Sequence, residues 1–323
     1  MQAIVSRTYG SPDVLRCEDV ERPIPADDEV LISVQAASVN PYDWHFMRGE
    51  PYLFRLVAGL GRPKSQRLGA DVAGTVEAVG KDVARFAVGD EVFGAGRGSF
   101  AELACAPAAR LAIKPESVTF EQAAALPIAA LTALQALRDK GHVRSGHEVL
   151  VNGAAGGVGT FAVQIATSFG ARVTGVCSAR NVELVRGIGA DEVVDYTRED
   201  FTKRAERYDV VLDLVGNRSL RACWGVLSPG GIYVGAAGTA DPWMIRPLAR
   251  MAAAPVLSLV GSRKLVSVLA RITAEDLALV GDLVASEKLR PVIDRRYSLS
   301  EVPDAIRYLE EGHARGKVII RRG

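Results

Sequence analysis

The feature that most constrains this fold is a glycine-rich turn between a buried strand and a helix. In the segment VLVNGAAGGVGTFAVQIA, the apolar strand ends at Asn152 and a helix follows the glycines. Such a turn brings backbone N–H groups close to a pyrophosphate, and the helix N-terminus adds a partial positive charge. The pattern predicts a dinucleotide phosphate site formed by Gly153, Ala155, Gly156, Gly157, Val158 and Gly159. The alternative is a helix that simply begins after glycines.

The surrounding chain favours the dinucleotide interpretation because strand and helix patterns alternate. Thr119, with Gln122 three residues later, has the spacing of a helix-starting capping box. The strand patterns EVLVNG, RVTGVC, EVVDY, YDVVLDLVG and GGIYVG follow, with helical segments such as GTFAVQIATSFG and NVELVRGIG between the first three. This alternation predicts βαβ units and a parallel sheet. Past about Lys264 the pattern turns helical, and the chain closes with a helix stopped by Gly312 or Gly316 and the short strand KVIIRR.

The first third of the chain is rich in strand patterns. EVLISVQAASV is a β-branched apolar run, and DVAGTVEAVG alternates before a glycine turn. FAVGDEVFG predicts two strands separated at Gly89 and Asp90. Short strands punctuated by Gly and Pro predict a compact, partly open β-barrel.

The end of the second strand of the parallel sheet predicts which dinucleotide is bound. NAD-preferring sites usually carry Asp or Glu there to hold the ribose hydroxyls. This chain instead has Cys177, followed by Ser178 and Arg180, which can bind a 2′-phosphate by charge-assisted hydrogen bonds. We therefore expect NADP(H) rather than NAD(H), unless Arg180 is only a solvated residue at a helix start. Tyr196 ends the third strand and either flanks the adenine or packs there.

Composition excludes several other classes of function. The chain has 323 residues, with 39 Lys and Arg against 38 Asp and Glu, so no charged field points to nucleic acid or a membrane surface. The four cysteines contain no CxxC pair, which argues against a disulfide framework or a structural zinc site. Without an apolar leader segment or a membrane-spanning stretch, a cytoplasmic protein is expected.

The motifs, in their order and spacing, resemble the medium-chain dehydrogenase/reductase superfamily over essentially the whole chain, in particular its zinc-free quinone oxidoreductase and enone reductase branch. The matching segments are ASVNPYDWHFMRG, LGADVAGTVEAVG, FAVGDEVFG, GSFAEL, AALPIAALTALQAL, NGAAGGVG, GADEVVDY, SPGG and GKVII. The resemblance implies an α/β protein with a GroES-like catalytic barrel, residues 1–122 and 263–323, and a Rossmann domain with a doubly wound parallel sheet, residues 123–262. It also implies an active site in a cleft between the two domains.

The resemblance further implies that no catalytic zinc is bound. Zinc-dependent members place Cys, His and Cys where this chain has Asn40, Ala70 and a position near Ile128. A catalytic zinc needs three protein ligands, and among these positions and their neighbours only Asp71 is able to coordinate one. The segment FGAGRGSFAEL also runs through the place of the four-cysteine structural lobe.

The same resemblance suggests the catalytic residues. Asn40 matches an asparagine beside the nicotinamide, and Tyr52 follows the Arg–Gly step where a tyrosine is common. His45 replaces another tyrosine and is a titratable donor near neutral pH. Thr132 matches a threonine near the nicotinamide ribose and the substrate oxygen. The structural alternatives are a hydrogen bond in the cleft wall for His45, a loop tyrosine for Tyr52 and a threonine bonded to its own helix backbone for Thr132.

Three further residues are expected at the cofactor. Asn217 and Gly235 end later strands of the Rossmann sheet, and Lys317 matches a basic residue that often reaches the cofactor, unless it is a surface lysine.

The sequence therefore predicts zinc-independent hydride transfer from NADPH to a quinone or an α,β-unsaturated carbonyl compound. The alternatives are a metal-free alcohol or aldehyde oxidoreductase and an NADPH-binding protein with little turnover. We expect a small-molecule substrate, a homodimer, and neither nucleic-acid binding nor stable membrane association. The segment DPWMIRPLARMAAAPVLSLVGSRK is expected to cap the substrate pocket or to form a subunit interface.

Overall fold

The computed structural model describes residues 1–236 and 262–322. In chain order, its strands are β1 Gln2–Ser6, β2 Leu15–Asp19, β3 Glu29–Val39, β4 Asp71–Val79, β5 Glu91–Ala95, β6 Leu103–Pro107, β7 Leu111–Ile113, β8 Glu148–Asn152, β9 Arg172–Cys177, β10 Glu192–Asp195, β11 Tyr208–Asp213, β12 Leu227–Gly235, β13 Lys264–Ser267, β14 Ile293–Ser298 and β15 Lys317–Arg321.

The α-helices of the described residues are α1 Pro41–Arg48, α2 Arg55–Ala58, α3 Phe120–Ala124, α4 Pro127–Gln135, α5 Gly157–Ser168, α6 Val182–Gly187, α7 Leu220–Gly225, α8 Ala274–Ala285 and α9 Val302–Glu310. The predicted start of α3 is confirmed, because the Thr119 hydroxyl accepts the Gln122 backbone N–H while the Gln122 side chain accepts from Thr119. No helix of this part of the chain is long and apolar enough to cross a membrane.

The described chain divides into two compact units, and the first combines residues 1–131 with residues 271–323. Its main sheet has the order β14-β15-β3-β4-β5-β7, with β6 also paired to β3. All these pairings are antiparallel except that of β14 with β15. Because β15 pairs with β3, the last residues of the chain complete a sheet begun near residue 30.

The second unit comprises residues 132–270 and contains a parallel sheet of order β10-β9-β8-β11-β12-β13. Its central strands β8 and β11 are largely apolar and buried, as expected for a parallel sheet. On one side of β8 the chain adds β9 and then β10. It then crosses to the other side of β8, where β11, β12 and β13 follow in order. The carboxyl ends of β8 and β11 therefore lie side by side at the point where the strand order reverses, which is where open α/β sheets bind ligands.

The predicted α/β class, with a β-rich part and a parallel sheet, is confirmed. One local prediction is wrong: residues 86–88 do not form a strand. A turn replaces it, because Gly89 has φ +98° and the Asp90 carboxylate accepts the Ala87 backbone N–H at 2.8 Å. The domain boundaries taken from the sequence stay a prediction. The segment from Asp241 to Lys264, expected to cap a pocket or form an interface, lies mostly outside the described residues.

The core of the first unit generates a prediction about stability. Phe93 on β5 is fully buried, and its ring packs against Gly281 of α8. Phe93→Ala should lower the free energy of unfolding by about 3–5 kcal/mol through lost burial and the remaining cavity. Urea denaturation checks this value. Ile113→Ala on neighbouring β7 is the control, because that side chain is half exposed and should cost well below 1 kcal/mol. Equal losses in the two variants would contradict this view of the core.

Candidate active site

Asn40 stands where β3 ends and α1 begins. Its backbone has extended geometry, and Pro41 occupies the first helical position, where a missing N–H costs nothing. The backbone N–H of Asn40 donates to the Asp43 carboxylate at 2.7 Å. The local sequence Asn-Pro-Tyr-Asp thus starts the helix and fixes the backbone that carries the predicted catalytic amide.

The Asn40 side chain is held inside the first unit on both sides. Its Nδ2 donates to the Asp71 carboxylate at 2.9 Å and to the Ser38 carbonyl at 3.2 Å. Its Oδ1 accepts from the Lys317 ammonium at 2.6 Å. Only 2% of Asn40 and 2% of Lys317 is exposed. Both amide hydrogens of Asn40 therefore already have acceptors.

Asp71 is the acceptor that joins the elements of this network. One carboxylate oxygen accepts the Ile128 backbone N–H at 3.1 Å, and the other accepts the Ser38 hydroxyl at 2.7 Å. The Lys317 ammonium lies 3.7 Å from the same oxygen. Burial raises the pKa of Asp71 and lowers the pKa of Lys317, and the attraction between the two charges opposes both shifts. Removal of either partner would leave the other as an uncompensated buried charge, which would destabilise the fold.

Asp43 is a second fully buried carboxyl group in this region. Burial raises its pKa to about 7, although the hydrogen bond from the Asn40 backbone favours the charged form. One of its oxygens, Oδ1, has no hydrogen-bond partner among the described residues. Protonation of Asp43 therefore occurs near neutral pH, in direct contact with the backbone of Asn40.

His45 lies on α1, and its ring is fixed from two sides. It stacks on Trp44 with ring centroids 3.7 Å apart, and its Nδ1 lies 2.9 Å from the Glu50 carbonyl oxygen. A carbonyl oxygen only accepts, so Nδ1 carries the hydrogen and Nε2 of the neutral ring is an acceptor. Burial lowers the pKa of His45, which favours the neutral ring at physiological pH.

Tyr52 lies in the loop that follows α1 and is 37% exposed. The Arg55 guanidinium lies 4.8 Å from the centroid of its ring and 4.6 Å from that of Tyr9. Arg55 also donates to the carbonyl oxygens of Gly49 and Arg48. The sequence analysis missed Arg55, which fixes the loop that carries Tyr52 by cation–π and hydrogen-bond contacts.

The glycine-rich turn of the second unit has the geometry of an anion site. Gly153 adopts φ +91°, a conformation that favours glycine, and α5 begins immediately after the turn. Gly156 is the N-cap residue and offers no side chain to the first N–H groups of α5. These groups have no partners within the helix. A Cβ at Gly159 would lie 2.0 Å from the Gly153 carbonyl oxygen, so glycine is required for this close approach.

The end of β9 places Ser178 and Arg180 beside the end of β10. Ser178 is half-buried and accepts from the Asn181 side chain at 3.2 Å, whereas Arg180 is exposed. The Tyr196 backbone N–H donates to the Cys177 carbonyl at 3.0 Å, and the Tyr196 side chain is half exposed. Asp195 brings a carboxylate to this edge that the sequence analysis had not considered. Hydrogen bonds from Thr197 keep the pKa of Asp195 low.

In the second unit, a buried carboxylate organises the adjacent ends of β8 and β11. Asp213 accepts from the Asn152 side chain at 2.8 Å and from the Tyr233 hydroxyl at 2.7 Å. Asn152 also donates to the Asn217 side chain at 3.1 Å. The predicted cofactor residue Asn217 is thus positioned by Asp213 through Asn152. Asp213 carried only a weak sequence signal, a lone acid at the end of an apolar strand.

Two other predicted residues are placed on the expected elements. Thr132 is half-buried on α4, and Gly235 is the last residue of β12. Within the units, the structure joins Asn40 with Lys317, and Asn217 with the strand end that precedes Gly153. The catalytic and cofactor roles assigned to these residues stay predictions.

Comparison with known proteins assigns the family. A model described as alcohol dehydrogenase GroES-like domain matches residues 26–116, and one described as zinc-binding dehydrogenase matches residues 188–320. Together they cover more than half of the chain, in the order that the fold requires.

The chain belongs to the medium-chain dehydrogenase/reductase superfamily.

Relatives within this superfamily match nearly the full chain. A mitochondrial NAD(P)H oxidoreductase, RTN4IP1, from Mus musculus is 35% identical over 99% of this chain and 89% of its own length. A chloroplastic quinone-oxidoreductase homolog from Spinacia oleracea is 35% identical over 99% of this chain and 98% of its own. An NADPH-dependent alkenal/one oxidoreductase from Arabidopsis thaliana is 33% identical over 99% of this chain and 79% of its own.

Among solved structures, the quinone oxidoreductase from Coxiella burnetii superposes with a TM-score of 0.87 at 33% identity. The match covers 100% of this chain and 99% of that one. The predicted architecture of this superfamily, a GroES-like unit with a Rossmann unit, is therefore confirmed.

The positions to which the resemblance assigns zinc ligands in other members of the superfamily hold different groups here. Asn40 and Ala70 occupy two of them, and the backbone N–H of Ile128, near the third, is bonded to Asp71. Across the described parts of the chain, no group of three His, Cys, Asp or Glu side chains is arranged to hold a metal ion. What fills the region is a hydrogen-bond network that contains an ammonium group.

The glycine contact in the second unit gives a prediction. Gly159→Ala should weaken NADPH binding at least tenfold, because the new Cβ collides with backbone atoms of Gly153 and Ala154 and displaces the turn. Fluorescence titration with NADPH measures the effect. The control is Gly187→Ala on α6, where a Cβ meets no atom within 4 Å. Unchanged affinity in Gly159→Ala would separate this turn from cofactor binding.

The buried carboxyl of Asp43 gives a prediction about pH. Its pKa in the folded protein is about 7, above the value near 3.9 in the unfolded chain, so the folded state binds more protons between these values. This group therefore reduces stability as pH rises from about 4 to 7, by at most about 1.4 kcal/mol per pH unit. Asp43→Asn removes this contribution.

Urea denaturation between pH 4 and pH 8 tests the effect as a difference from the wild type. The stability of Asp43→Asn relative to the wild type should rise toward neutral pH and then stay constant. Asp282→Asn, at an exposed position of α8, should follow the wild type at every pH. Parallel curves for Asp43→Asn and the wild type would show that Asp43 ionises normally.

Proposed function

We propose that this protein is an NADPH-dependent oxidoreductase that reduces quinones or α,β-unsaturated carbonyl compounds without a catalytic metal. One observation carries the metal-free part. Asn40 stands where the resemblance implies a zinc-binding Cys in other superfamily members, and here its side chain is bonded to Lys317 and Asp71. The names of the relatives from Mus musculus, Spinacia oleracea and Arabidopsis thaliana support the type of reaction and the nicotinamide cofactor.

The preference for NADPH rests on the end of β9. Ser178 and Arg180 follow Cys177 without a carboxylate at the strand end itself, and the Arg180 side chain is exposed. A guanidinium group binds a 2′-phosphate strongly. The nearby Asp195 carboxylate accepts both the backbone N–H and the hydroxyl of Thr197. These bonds keep Asp195 ionised, and Ser178 and Arg180 are the groups that we propose bind the 2′-phosphate beside it.

When bound, NADPH supplies the hydride from C4 of its nicotinamide ring. The protein then stabilises the negative charge that develops on the substrate oxygen, and a proton completes the reduction. Tyr52 and Thr132 carry hydroxyl donors for that oxygen. Both amide hydrogens of Asn40 already have acceptors within the protein. Asn40 therefore offers the substrate oxygen no further hydrogen, and its proposed contribution to the site is its fixed position. The proton comes from water or from His45, and the absence of a hydrogen on Nε2 of the neutral His45 ring favours water.

A pocket of about 130 Å³ beside α1 supports a small substrate. It is bordered by Tyr42, Phe46 and Leu68, with Arg67 and Gly96 at its polar side. Its volume is close to that of an engineered cavity of about 150 Å³ that binds benzene. This volume is comparable to that of a single quinone ring or a short enone, and Tyr42 and Phe46 contribute aromatic side chains to the lining.

We also infer a homodimer, which the resemblance to the superfamily implies, and a cytoplasmic location. The targeting of some relatives to mitochondria and chloroplasts concerns those proteins.

The test of the proposed function is NADPH oxidation followed at 340 nm. Quinones, enones and aldehydes are compared with NADPH and NADH, and alcohols are tested with NADP⁺ and NAD⁺ for the reverse change at 340 nm, each with or without a chelator. Chelator-insensitive turnover of quinones or enones, with NADPH preferred, is the expected result. Alcohol oxidation that the chelator abolishes would refute the metal-free mechanism. NADPH binding without any turnover would instead indicate a binding protein.

The cofactor preference is tested by Arg180→Ala. This variant should raise the KM for NADPH at least tenfold and leave the KM for NADH within about twofold, since only NADPH carries the 2′-phosphate. Arg186→Ala, an exposed arginine paired with Glu183 on the next turn, is the matched control. Equal effects of Arg180→Ala on both cofactors would mean that Arg180 does not contact the 2′-phosphate.

A further inference from the structure

Lys317 is the buried cation of the first unit's polar network, and its environment differs from that of a residue that binds phosphate from solvent. It is the first residue of β15, and its side chain is 2% exposed. Its ammonium donates to Asn40 Oδ1 at 2.6 Å, with the Val39 carbonyl at 3.5 Å and Asp71 at 3.7 Å. Three acceptors thus surround it.

The same contacts determine the orientation of the Asn40 amide. An amide side chain can be turned by 180° at little cost unless its two ends meet different partners. Here the oxygen faces a group that only donates, Lys317, and the nitrogen faces two acceptors, Asp71 and the Ser38 carbonyl. Reversal would place the amide nitrogen against the ammonium and the amide oxygen against the carboxylate. Lys317 and Asp71 together therefore allow a single orientation.

The network also spans the positions that hold zinc in other superfamily members. Asp71 follows Ala70 directly and accepts from both the Asn40 side chain and the Ile128 backbone. The ammonium of Lys317 lies within the same cluster, where the Asp71 carboxylate opposes its charge.

We infer that Lys317 and Asp71 are positioning residues of the reduction, which fix the amide of Asn40, and that Lys317 does not bind the cofactor phosphates. The inference rests on the proposed function for its effect on rate. Its structural part, the coupling of Lys317 to Asn40 instead of to the cofactor, can be tested without turnover.

The variants separate these two roles. Lys317→Met keeps the length of the side chain and removes its charge, Lys317→Arg retains the charge, and Asn40→Ala removes the group that is positioned. Because Lys317→Met leaves a buried carboxylate without its cation, the pair Lys317→Met with Asp71→Asn provides a neutral version that avoids this penalty. Lys288→Met, at an exposed position after α8, is the matched control.

The first readout is the Kd for NADPH, measured by fluorescence titration. A positioning role predicts a Kd within about twofold of the wild type in Lys317→Met, whereas Arg180→Ala raises it at least tenfold. A tenfold rise in Lys317→Met would overturn the inference and restore a direct contact with the cofactor.

The second readout is a double-mutant cycle between Lys317→Met and Asn40→Ala. We expect kcat to fall about tenfold to 100-fold in each single variant, with no further loss in the double variant, and to recover partly in Lys317→Arg. The neutral pair should fold and yet keep the low kcat. Additive losses in the cycle, or full activity of the neutral pair, would contradict the inference.

Failure of the proposed function gives a different pattern. If the wild type reduces no quinone or enone, the proposed function fails, and the cycle is read from urea denaturation of the same variants. Non-additive changes in unfolding free energy together with an unchanged Kd would still support the coupling. Additive changes would refute it.

Discussion

The buried bond between Lys317 and Asn40, with Asp71 as the common partner, is the interaction on which the first unit most depends. It joins the first residue of β15 to the end of β3 and the start of β4, and Asp71 extends it to the backbone of α4. These groups are far apart in sequence and were costly to remove from water. Each is stable inside only because the others satisfy it, so the network favours one register of the strands that carry it.

In the second unit, a buried carboxylate likewise holds the carboxyl ends of the parallel strands. Asp213 accepts from Asn152, Tyr233 and two backbone N–H groups of the turn that follows β11. Asn152 is also the residue before the glycine-rich turn, so the same contacts fix the start of the phosphate site. Buried carboxylates at strand ends thus hold the functional loops of both units, while the apolar strands supply most of the stability.

The protonation states of the first unit suit reduction near neutral pH. His45 is held as a neutral ring whose Nδ1 donates to a backbone carbonyl, and burial keeps its pKa low. Asp43, with a pKa of about 7, is the group whose charge changes in the physiological range. Asp43, which titrates, accepts a hydrogen bond from the backbone of Asn40, whereas the imidazole of His45 stays neutral. Burial and hydrogen bonding cause this difference in charge, because both side chains would ionise differently in water.

The sequence by itself determined the class of fold, the parallel sheet, the glycine-rich turn and the family, because each depends on local periodicity or on motifs of fixed spacing. It also identified Ser178, Arg180 and Asn217 near strand ends, and Asn40 through the family resemblance. It did not reveal that Lys317 is enclosed with Asn40, or that Asp71, Asp213 and Arg55 hold the predicted residues in place. Those contacts join segments as much as 277 residues apart. Only tertiary structure decides them, because burial, partner choice and pKa depend on which distant groups packing brings together.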